Sequence, residues 1–218
     1  MHILSIQKNP IKIMFMTNLH SKAKRFFDIF FALFGLVLLS PIIFLAFIVS
    51  SFETLSNGLF IQQRVGRGGK LFNVFKIKTM RTVVGINTMV TSSGDVRITK
   101  SGSFFRKTKI DELPQLWNVL AGEMSFVGPR PDVPGYADRL QGEDRIILSV
   151  RPGITGPAQL AYKNEEDILA AQSDPVKYND EVIWPDKVKI NLDYLENYSF
   201  FKDCYYIWKT IAGGNVKY

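Results

Sequence analysis

A run of 24 residues with no charged side chain, Ile29–Phe52, constrains the fold of this chain more than any other feature. As one straight helix it would be about 36 Å long, enough to cross the ~30 Å hydrocarbon core of a bilayer. The run is too long for the apolar part of a cleavable signal peptide, and no small-residue cleavage site follows it. Because a chain of 218 residues offers little core in which to enclose such a helix, we predict a membrane segment.

Two features of this segment argue against a simple span. Ser40-Pro41 falls at its middle, and proline removes a backbone donor and bends a helix, while serine can satisfy the freed carbonyl. Basic residues flank both ends, which favours the cytoplasm for both. A re-entrant helix-break-helix with its break at Ser40 and Pro41 satisfies both observations. A single-pass anchor with a tolerated proline is the alternative.

Charge and composition limit which chemical groups this chain can use. The net charge of +7 is uneven, because residues 1–110 hold sixteen Lys and Arg but only three acidic residues. A basic half suggests an anionic partner. The single cysteine, Cys204, excludes a disulfide framework, and with only His2 and His20 a zinc site or a histidine base is improbable. The chemistry must therefore use carboxylates, cationic side chains, hydroxyls or a bound ion.

The remaining pattern predicts an α+β fold, a mostly helical small catalytic domain with a short β-hairpin. We divide the chain into an N-terminal tail (1–20), the re-entrant membrane segment (21–53) and a catalytic domain on the cytoplasmic face (54–218). The amphipathic, aromatic stretch 197–211 is predicted as an interfacial helix, with core packing as an equal alternative. The other predicted elements are strands at 59–63 and 71–78, loops at 82–98, 127–134 and 151–157, and helices at 99–108, 111–120, 136–149, 164–172 and 175–183.

Adjacent carboxylates at Asp111 and Glu112 are the best candidates for chemistry. They follow a cluster of basic residues that includes Arg106, and Arg130 comes later in a proline-flanked loop. A carboxylate at a helix N-terminus should have a lowered pKa and could bind Mg²⁺ or attack an electrophile. Ordinary helix capping is the simpler interpretation of Asp111 taken alone.

The combination of features favours catalysis over capping. A kinked membrane segment, a basic platform, an acidic pair and proline-locked arginines suit a diphosphate substrate at a membrane surface. Two non-enzymatic alternatives stay open. A basic membrane-bound module would recruit an acidic partner or lipid, and a nucleic-acid role is the weakest because the basic residues adjoin a lipid segment.

Five ordered motifs across residues 22–160 carry a specific resemblance. They are Lys24–Asp28 before the kinked helix, Phe75–Arg81, Asp111–Leu120, Met124–Pro131 and Arg151–Gly156. With these motifs the chain resembles the bacterial sugar transferases, the monotopic polyprenyl-phosphate phosphoglycosyltransferases. It departs from their pattern at 157–166.

The resemblance implies transfer of a sugar-1-phosphate from a UDP-sugar to polyprenyl (undecaprenyl) phosphate, with release of UMP, as the first membrane step of a surface-glycan pathway. The alternative enzyme is a conventional glycosyltransferase, which would move the sugar without its phosphate and release UDP rather than UMP. It implies that Asp111 is the nucleophile of a covalent intermediate, that Glu112 is its partner and that Mg²⁺ sits with both. Phosphate-binding roles are implied for Arg130, Lys78, Arg106 and Arg151. The implied location is the cytoplasmic face of the bacterial inner membrane, with homo-oligomerisation left open and no nucleic-acid partner.

Overall fold

One long helix dominates the N-terminal part of the chain. The computed structural model describes residues 10–82, 95–214 and 216, with side chains from Lys22 onward. Helix α1 runs over Pro10–Thr54, so it includes the second half of the predicted 1–20 tail. The helix is continuous through Ser40 and Pro41, where a break was predicted. The re-entrant course therefore stays a prediction.

Ser40 explains how α1 continues past its internal proline. In a regular helix the N–H of residue 41 would donate to the carbonyl of Val37, and Pro41 has no N–H. The Ser40 hydroxyl donates to that carbonyl instead, at 2.9 Å. The carbonyl of Val37, which Pro41 cannot bond, therefore accepts a hydrogen bond within the same turn.

The apolar part of α1 is exposed rather than enclosed. Lys22–Thr54 is long and apolar enough to cross a membrane, with a mean hydropathy of 2.8 in a window that is only 11% buried. A helix in the core of a soluble protein would be mostly enclosed. The exposed large side chains of α1 include Phe30, Leu33, Phe34, Val37, Leu38, Phe44 and Leu45.

A β-hairpin follows α1, as predicted. Strands β1 (Leu59–Val65) and β2 (Leu71–Ile77) pair antiparallel, with Leu59 opposite Ile77 and Val65 opposite Leu71. The connecting turn needs glycine, since Gly68 has a φ of +70°. Helix α2 (Lys100–Thr108) also matches its prediction and is capped by Thr99, whose side chain accepts from the backbone of Gly102 at 2.9 Å. The predicted 82–98 loop lies mostly outside the described residues.

The predicted 111–120 helix is wrong at its start. Lys109 ends α2 with a φ of +60°, a single 3₁₀ turn follows over Ile110–Glu112, and α3 begins only at Gln115 and ends at Ala121. Between the left-handed Lys109 and Pro114, which cannot donate a backbone hydrogen bond, there is room for one tight turn. Asp111 therefore lies in that turn and not at a helix cap.

The second half of the chain is a set of short elements. The predicted loops at 127–134 and 151–157 contain parts of a short parallel pair, β3 (Ser125–Val127) and β4 (Gly153–Thr155). Gly153 permits this pair, because a Cβ there would lie 2.2 Å from the backbone nitrogen of Gly128. The helices that follow are α4 (Pro157–Ala161), α5 (Glu165–Ala170), α6 (Pro175–Tyr178), a π-helical turn (Asn179–Ile183), α7 (Trp184–Glu196) and α8 (Phe200–Ile211), with 3₁₀ turns at Ala137–Arg139 and Gly142–Ser149 before β4.

The folded domain holds α1 near both ends of its apolar part. Arg25 donates to the carbonyls of Val119 and Leu120 at the end of α3, at 2.6 and 3.0 Å. Twenty-five residues later, the Ser50 hydroxyl donates to the carbonyl of Lys78, just after β2. One continuous unit therefore lies along the whole apolar length of the helix.

Candidate active site

The acidic pair is built into the 3₁₀ turn between α2 and α3. Glu112 Oε1 accepts from Lys76 Nζ at 2.8 Å and from Arg130 Nη2 at 3.1 Å. Lys76 comes from β2, and Arg130 comes from the proline-flanked loop after β3. Three separate segments thus converge on one carboxylate oxygen.

Glu112 is held as an anion. Burial alone would raise its pKa, but the charges of Lys76, Arg130 and Lys109 outweigh that cost and lower the pKa well below its ordinary value. Its charge is already shared between two cations, which makes Glu112 a poor nucleophile.

Asp111 has the opposite environment. Burial, followed by repulsion from Glu112, raises its pKa to about 6, against the attraction of Lys76, Lys109 and Arg106. The predicted lowering is wrong, because burial and the charge of Glu112 together outweigh the attraction of the nearby cations. Asp111 is 8% exposed, and its buried Oδ1 has no hydrogen-bond partner among the described residues. At neutral pH this carboxylate is largely ionised, and one of its oxygens is not engaged.

The pair lies beside the apolar helix. Ile110, the residue before Asp111, packs against a cluster formed by Ala46 of α1, Ile77 and Phe105. Asp111 is therefore one residue from a side chain that packs against a cluster containing a residue of the exposed apolar helix.

The structure brings only some of the predicted phosphate-binding residues to the pair. Arg130 contacts Glu112, and Arg106 is near enough to influence Asp111 while pairing with Glu166 at 3.2 Å. Lys78 donates to Ser56 at 2.7 Å. Arg151 donates to the carbonyl of Gly122 at 2.8 Å. The roles predicted for Lys78 and Arg151 remain predictions without support from their contacts.

Sequence reasoning missed Lys76, although a signal existed. It is the one charged residue in β2, whose other members are apolar except for Asn73. A lysine within such a strand requires a partner of opposite charge, and Glu112 supplies it.

Two further ionisable groups near Arg130 were also missed. Burial raises the pKa of the Asp132 carboxyl to about 7, in spite of Lys187 and Arg64. Burial and the charge of Arg130 lower the pKa of Arg64 to about 10. The position of Asp132 directly after the Pro129–Pro131 segment was the available signal for this group.

The pair fits a hard divalent cation. Mg²⁺ is commonly bound by one or two carboxylates, with substrate phosphates and water completing its shell. Asp111 and Glu112 supply two carboxylates, and the unpartnered Oδ1 of Asp111 is an acceptor suited to such an ion. Across the described residues no group of three or more His, Cys, Asp or Glu side chains is placed to hold a metal. Substrate phosphates would therefore have to supply further ligands.

Comparison with known proteins places this chain in a family. The family model described as "Bacterial sugar transferase" matches residues 19–215. The chain belongs to the bacterial sugar transferase family. Membership confirms the resemblance that the ordered motifs indicated.

Several curated relatives share this similarity. The chain is 30% identical to the UDP-N-acetylgalactosamine-undecaprenyl-phosphate N-acetylgalactosaminephosphotransferase of Aeromonas hydrophila, over 94% of this chain and 47% of that protein. It is 34% identical to the UDP-glucose:undecaprenyl-phosphate glucose-1-phosphate transferase of Klebsiella pneumoniae, over 88% of this chain and 40% of that protein. It is 35% identical to the uncharacterised sugar transferase EpsL of Bacillus subtilis, over 86% of this chain and 85% of that protein. The chain thus spans about half or less of the first two relatives and most of the third.

Proposed function

We propose that this chain transfers a sugar-1-phosphate from a UDP-sugar to a polyprenyl phosphate such as undecaprenyl phosphate and releases UMP. The observation that carries the proposal is the buried Oδ1 of Asp111, which has no hydrogen-bond partner among the described residues. It lies beside the cation-bound Glu112 and next to the exposed apolar helix. The names of the Aeromonas and Klebsiella relatives describe the same class of reaction.

Asp111 is the nucleophile in this proposal. One of its oxygens attacks the phosphorus that bears the sugar, a carboxylate–phosphorus bond forms, the phosphoanhydride bond breaks, and UMP leaves with the electron pair. An oxygen of polyprenyl phosphate then attacks the same phosphorus, the acyl-phosphate bond breaks, and the Asp111 carboxylate is restored. The raised pKa of Asp111 makes it the more basic and more nucleophilic member of the pair.

The cationic residues have distinct tasks. Lys76 and Arg130 hold Glu112 in place, and Arg106 and Lys109 add positive charge near Asp111. That charge would offset the negative charge of the substrate phosphates near the attacking carboxylate. Two half-reactions at one aspartate let a water-borne donor and a lipid-borne acceptor use the site in turn.

The identity of the released nucleotide tests the reaction. The purified protein, supplied with undecaprenyl phosphate, Mg²⁺ and a panel of UDP-sugars, should release UMP with at least one donor. Release of UDP would instead indicate a conventional glycosyltransferase that moves the sugar without its phosphate. Release of neither nucleotide across a broad panel would contradict the proposal.

We further propose that Mg²⁺ is the cofactor, held by Asp111 and Glu112 together with the donor's phosphates. When bound, the ion would neutralise charge on the diphosphate as a Lewis acid. Support comes from the two adjacent carboxylates and the unpartnered Oδ1.

Mg²⁺ should stabilise the wild-type protein against heat at pH 7.5 and should fail to stabilise Asp111→Asn. At ten to a hundred times its Kd, the ion would add roughly 1–3 kcal/mol to the free energy of unfolding. That gain corresponds to a rise of several degrees in Tm for a chain of this size. Asp144→Asn, at an exposed carboxylate, is the matched control and should respond like the wild type. An equal rise in Asp111→Asn would place the ion elsewhere.

We propose that the membrane segment is re-entrant, with residues 21–53 in the membrane and 54–218 at the cytoplasmic face of the inner membrane. A helix crossing at right angles would carry its ends to opposite sides of the bilayer. The folded domain contacts α1 at Arg25 and again at Ser50, about 38 Å apart along a straight axis. A domain holding both positions across a bilayer would have to place polar backbone in hydrocarbon.

We propose that α8 lies in the same membrane surface. Its exposed side carries apolar and aromatic residues at helical spacing, namely Phe201, Tyr205, Trp208 and Ile211. Its other side is buried at Asp203 and Tyr206. The ring of Phe200 packs edge-on against Phe27 at 5.3 Å, so α8 contacts α1 just before its uncharged run. Aromatic side chains of this kind favour the interface between water and lipid.

Cysteine labelling tests the topology. In a Cys204→Ser background, Lys22→Cys and Lys70→Cys should both resist an impermeant thiol reagent in intact cells and both react in inside-out vesicles. The positions flank the uncharged run Ile29–Phe52, so a re-entrant helix puts them on one side. Reaction of one in intact cells and the other in inside-out vesicles would establish an ordinary spanning helix.

A further inference from the structure

An open cavity of about 430 Å³ lies between the 3₁₀ turn at Ala137–Arg139 and the junction of α6 with α7. Its volume falls within the range of small-molecule sites. The residues that line it are Gly135, Tyr136, Arg139, Leu140, Asp180 and Trp184. None of these belongs to the acidic pair or to its cation partners.

Two aromatic rings and a carboxylate form an ordered wall of this cavity. The rings of Tyr136 and Trp184 meet edge to face with centroids 5.4 Å apart. The Tyr136 hydroxyl donates to Asp180 Oδ1 at 2.8 Å, and the Asn179 amide donates to the same oxygen at 3.0 Å. Aromatic faces bind nucleobases of any sequence by stacking, and a carboxylate has acceptor positions left for sugar hydroxyls.

The backbone around Asp180 is unusual. Asn179–Ile183 is a π-helical turn, a rare conformation that recurs at functional sites. Asp180 lies within this turn, directly after Asn179, and both side chains engage the Tyr136 hydroxyl.

Arg139 adds a cation that the protein does not neutralise. It is exposed at the end of the 3₁₀ turn, and within the described part of the chain it forms no ion pair. Its guanidinium could donate to the carbonyl oxygens of a pyrimidine. Cytosine presents an amino group where uracil has a carbonyl, so a guanidinium at this place would favour uracil.

A short stretch of chain joins the cavity to the acidic pair. Six residue steps separate Arg130, which contacts Glu112, from Tyr136, and fully extended they would span at most about 20 Å. Asp132 lies between them. Burial and the bond to Asp180 raise the pKa of the Tyr136 hydroxyl, and the charge of Asp132 adds to that rise, so the two groups interact.

We propose that this cavity binds the nucleoside of the donor, with uracil against Tyr136 and Trp184, the ribose hydroxyls at Asp180, and Arg139 on the uracil carbonyls. The proposal rests on the function proposed above and adds the donor's nucleoside site to it. The nucleoside is favoured over the sugar because the sugar must be presented to the lipid acceptor, and no described side chain of α1 or α8 lines the cavity.

Binding of UMP and CMP by calorimetry tests the assignment on the intact protein in nanodiscs. The wild type should bind UMP more tightly than CMP. Arg139→Ala should weaken UMP binding about tenfold and reduce the preference over CMP, and Arg139→Lys should restore part of the affinity. Asp180→Asn should also weaken UMP binding several-fold. Lys189→Ala, at an exposed cation of α7 outside the cavity, should bind UMP like the wild type.

The outcomes separate this proposal from the reaction. Unchanged UMP affinity in both Arg139→Ala and Asp180→Asn would overturn the cavity assignment, and it would leave UMP release by the wild type standing. If the same two variants bound a hexose-1-phosphate more weakly than the wild type but kept their affinity for UMP, the nucleoside assignment would also be overturned. The cavity would then be assigned to the sugar. Arg139-dependent UMP binding in a protein that turns over no UDP-sugar would support the nucleoside site and contradict the proposed reaction.

Discussion

Replacing Asp111 by asparagine should lower the rate of UMP release by at least about 10³-fold while the fold is retained. Loss of an attacking side chain in covalent catalysis costs several orders of magnitude, because the remaining groups have nothing to assist. Asparagine keeps the shape of the side chain but offers no carboxylate oxygen for attack. Single-turnover UMP release from donor alone measures the step directly.

The same substitution should stabilise the protein at neutral pH. Burial and Glu112 raise the pKa of Asp111 from 3.8 to about 6, so between these values the unfolded chain ionises first and stability falls as pH rises. By pH 7.5 the buried charge of the ionised Asp111 carboxylate lowers the unfolding free energy by up to about 3 kcal/mol. The uncharged amide of Asp111→Asn avoids this loss. Denaturant unfolding in a chelator should show Asp111→Asn more stable than the wild type at pH 7.5 and similar to it at pH 3.5.

Two results would contradict this account of Asp111. A loss of stability in Asp111→Asn at pH 7.5 would mean that the carboxylate is favourably paired. Release of UMP by Asp111→Asn at a near wild-type rate would show that Asp111 is not the nucleophile. Asp144→Asn, at an exposed site, should leave both measurements unchanged.

Replacing Lys76 by methionine should destabilise the protein by about 3 kcal/mol and abolish most activity. Lys76 and Glu112 are paired at 2.8 Å, with side chains only 19% and 11% exposed. Removing one partner of a buried pair leaves the other charge without compensation, which commonly costs about 3–5 kcal/mol. Arg130 still contacts Glu112, so the lower end of that range is expected.

Lys78→Met is the matched control for Lys76→Met. Lys78 lies two residues along and bonds to the Ser56 hydroxyl, so its loss should change the unfolding free energy by less than about 1 kcal/mol. Combining Lys76→Met with Glu112→Gln should recover stability without recovering UMP release. A larger loss of unfolding free energy in Lys78→Met than in Lys76→Met would contradict the assignment of Lys76 as the cation that pairs with Glu112.

Features that depend on local sequence could be predicted. The uncharged run identified the apolar helix, glycines between two apolar stretches identified the hairpin, and Thr99 marked the start of α2. Asp111, Glu112 and Arg130 were found as candidates because basic and proline residues surround them in the sequence. Each of these signals acts over a few neighbouring residues.

Features that depend on tertiary packing could not be predicted from the sequence. The pKa of Asp111 was predicted to fall, because its burial beside Glu112 is set by segments far apart in the chain. Lys76 was passed over for its neighbour Lys78, since only the fold shows which lysine faces Glu112. The parallel pairing of β3 with β4 joins residues almost thirty positions apart, with no turn signal between them.

The mass of the intact protein after exposure to a UDP-sugar alone tests the central claim most directly. We predict an adduct with the mass of one phosphosugar on the peptide that contains Asp111, formed with one equivalent of UMP and removed by added polyprenyl phosphate. UMP release without an adduct, or an adduct on any other residue, would contradict covalent transfer through Asp111.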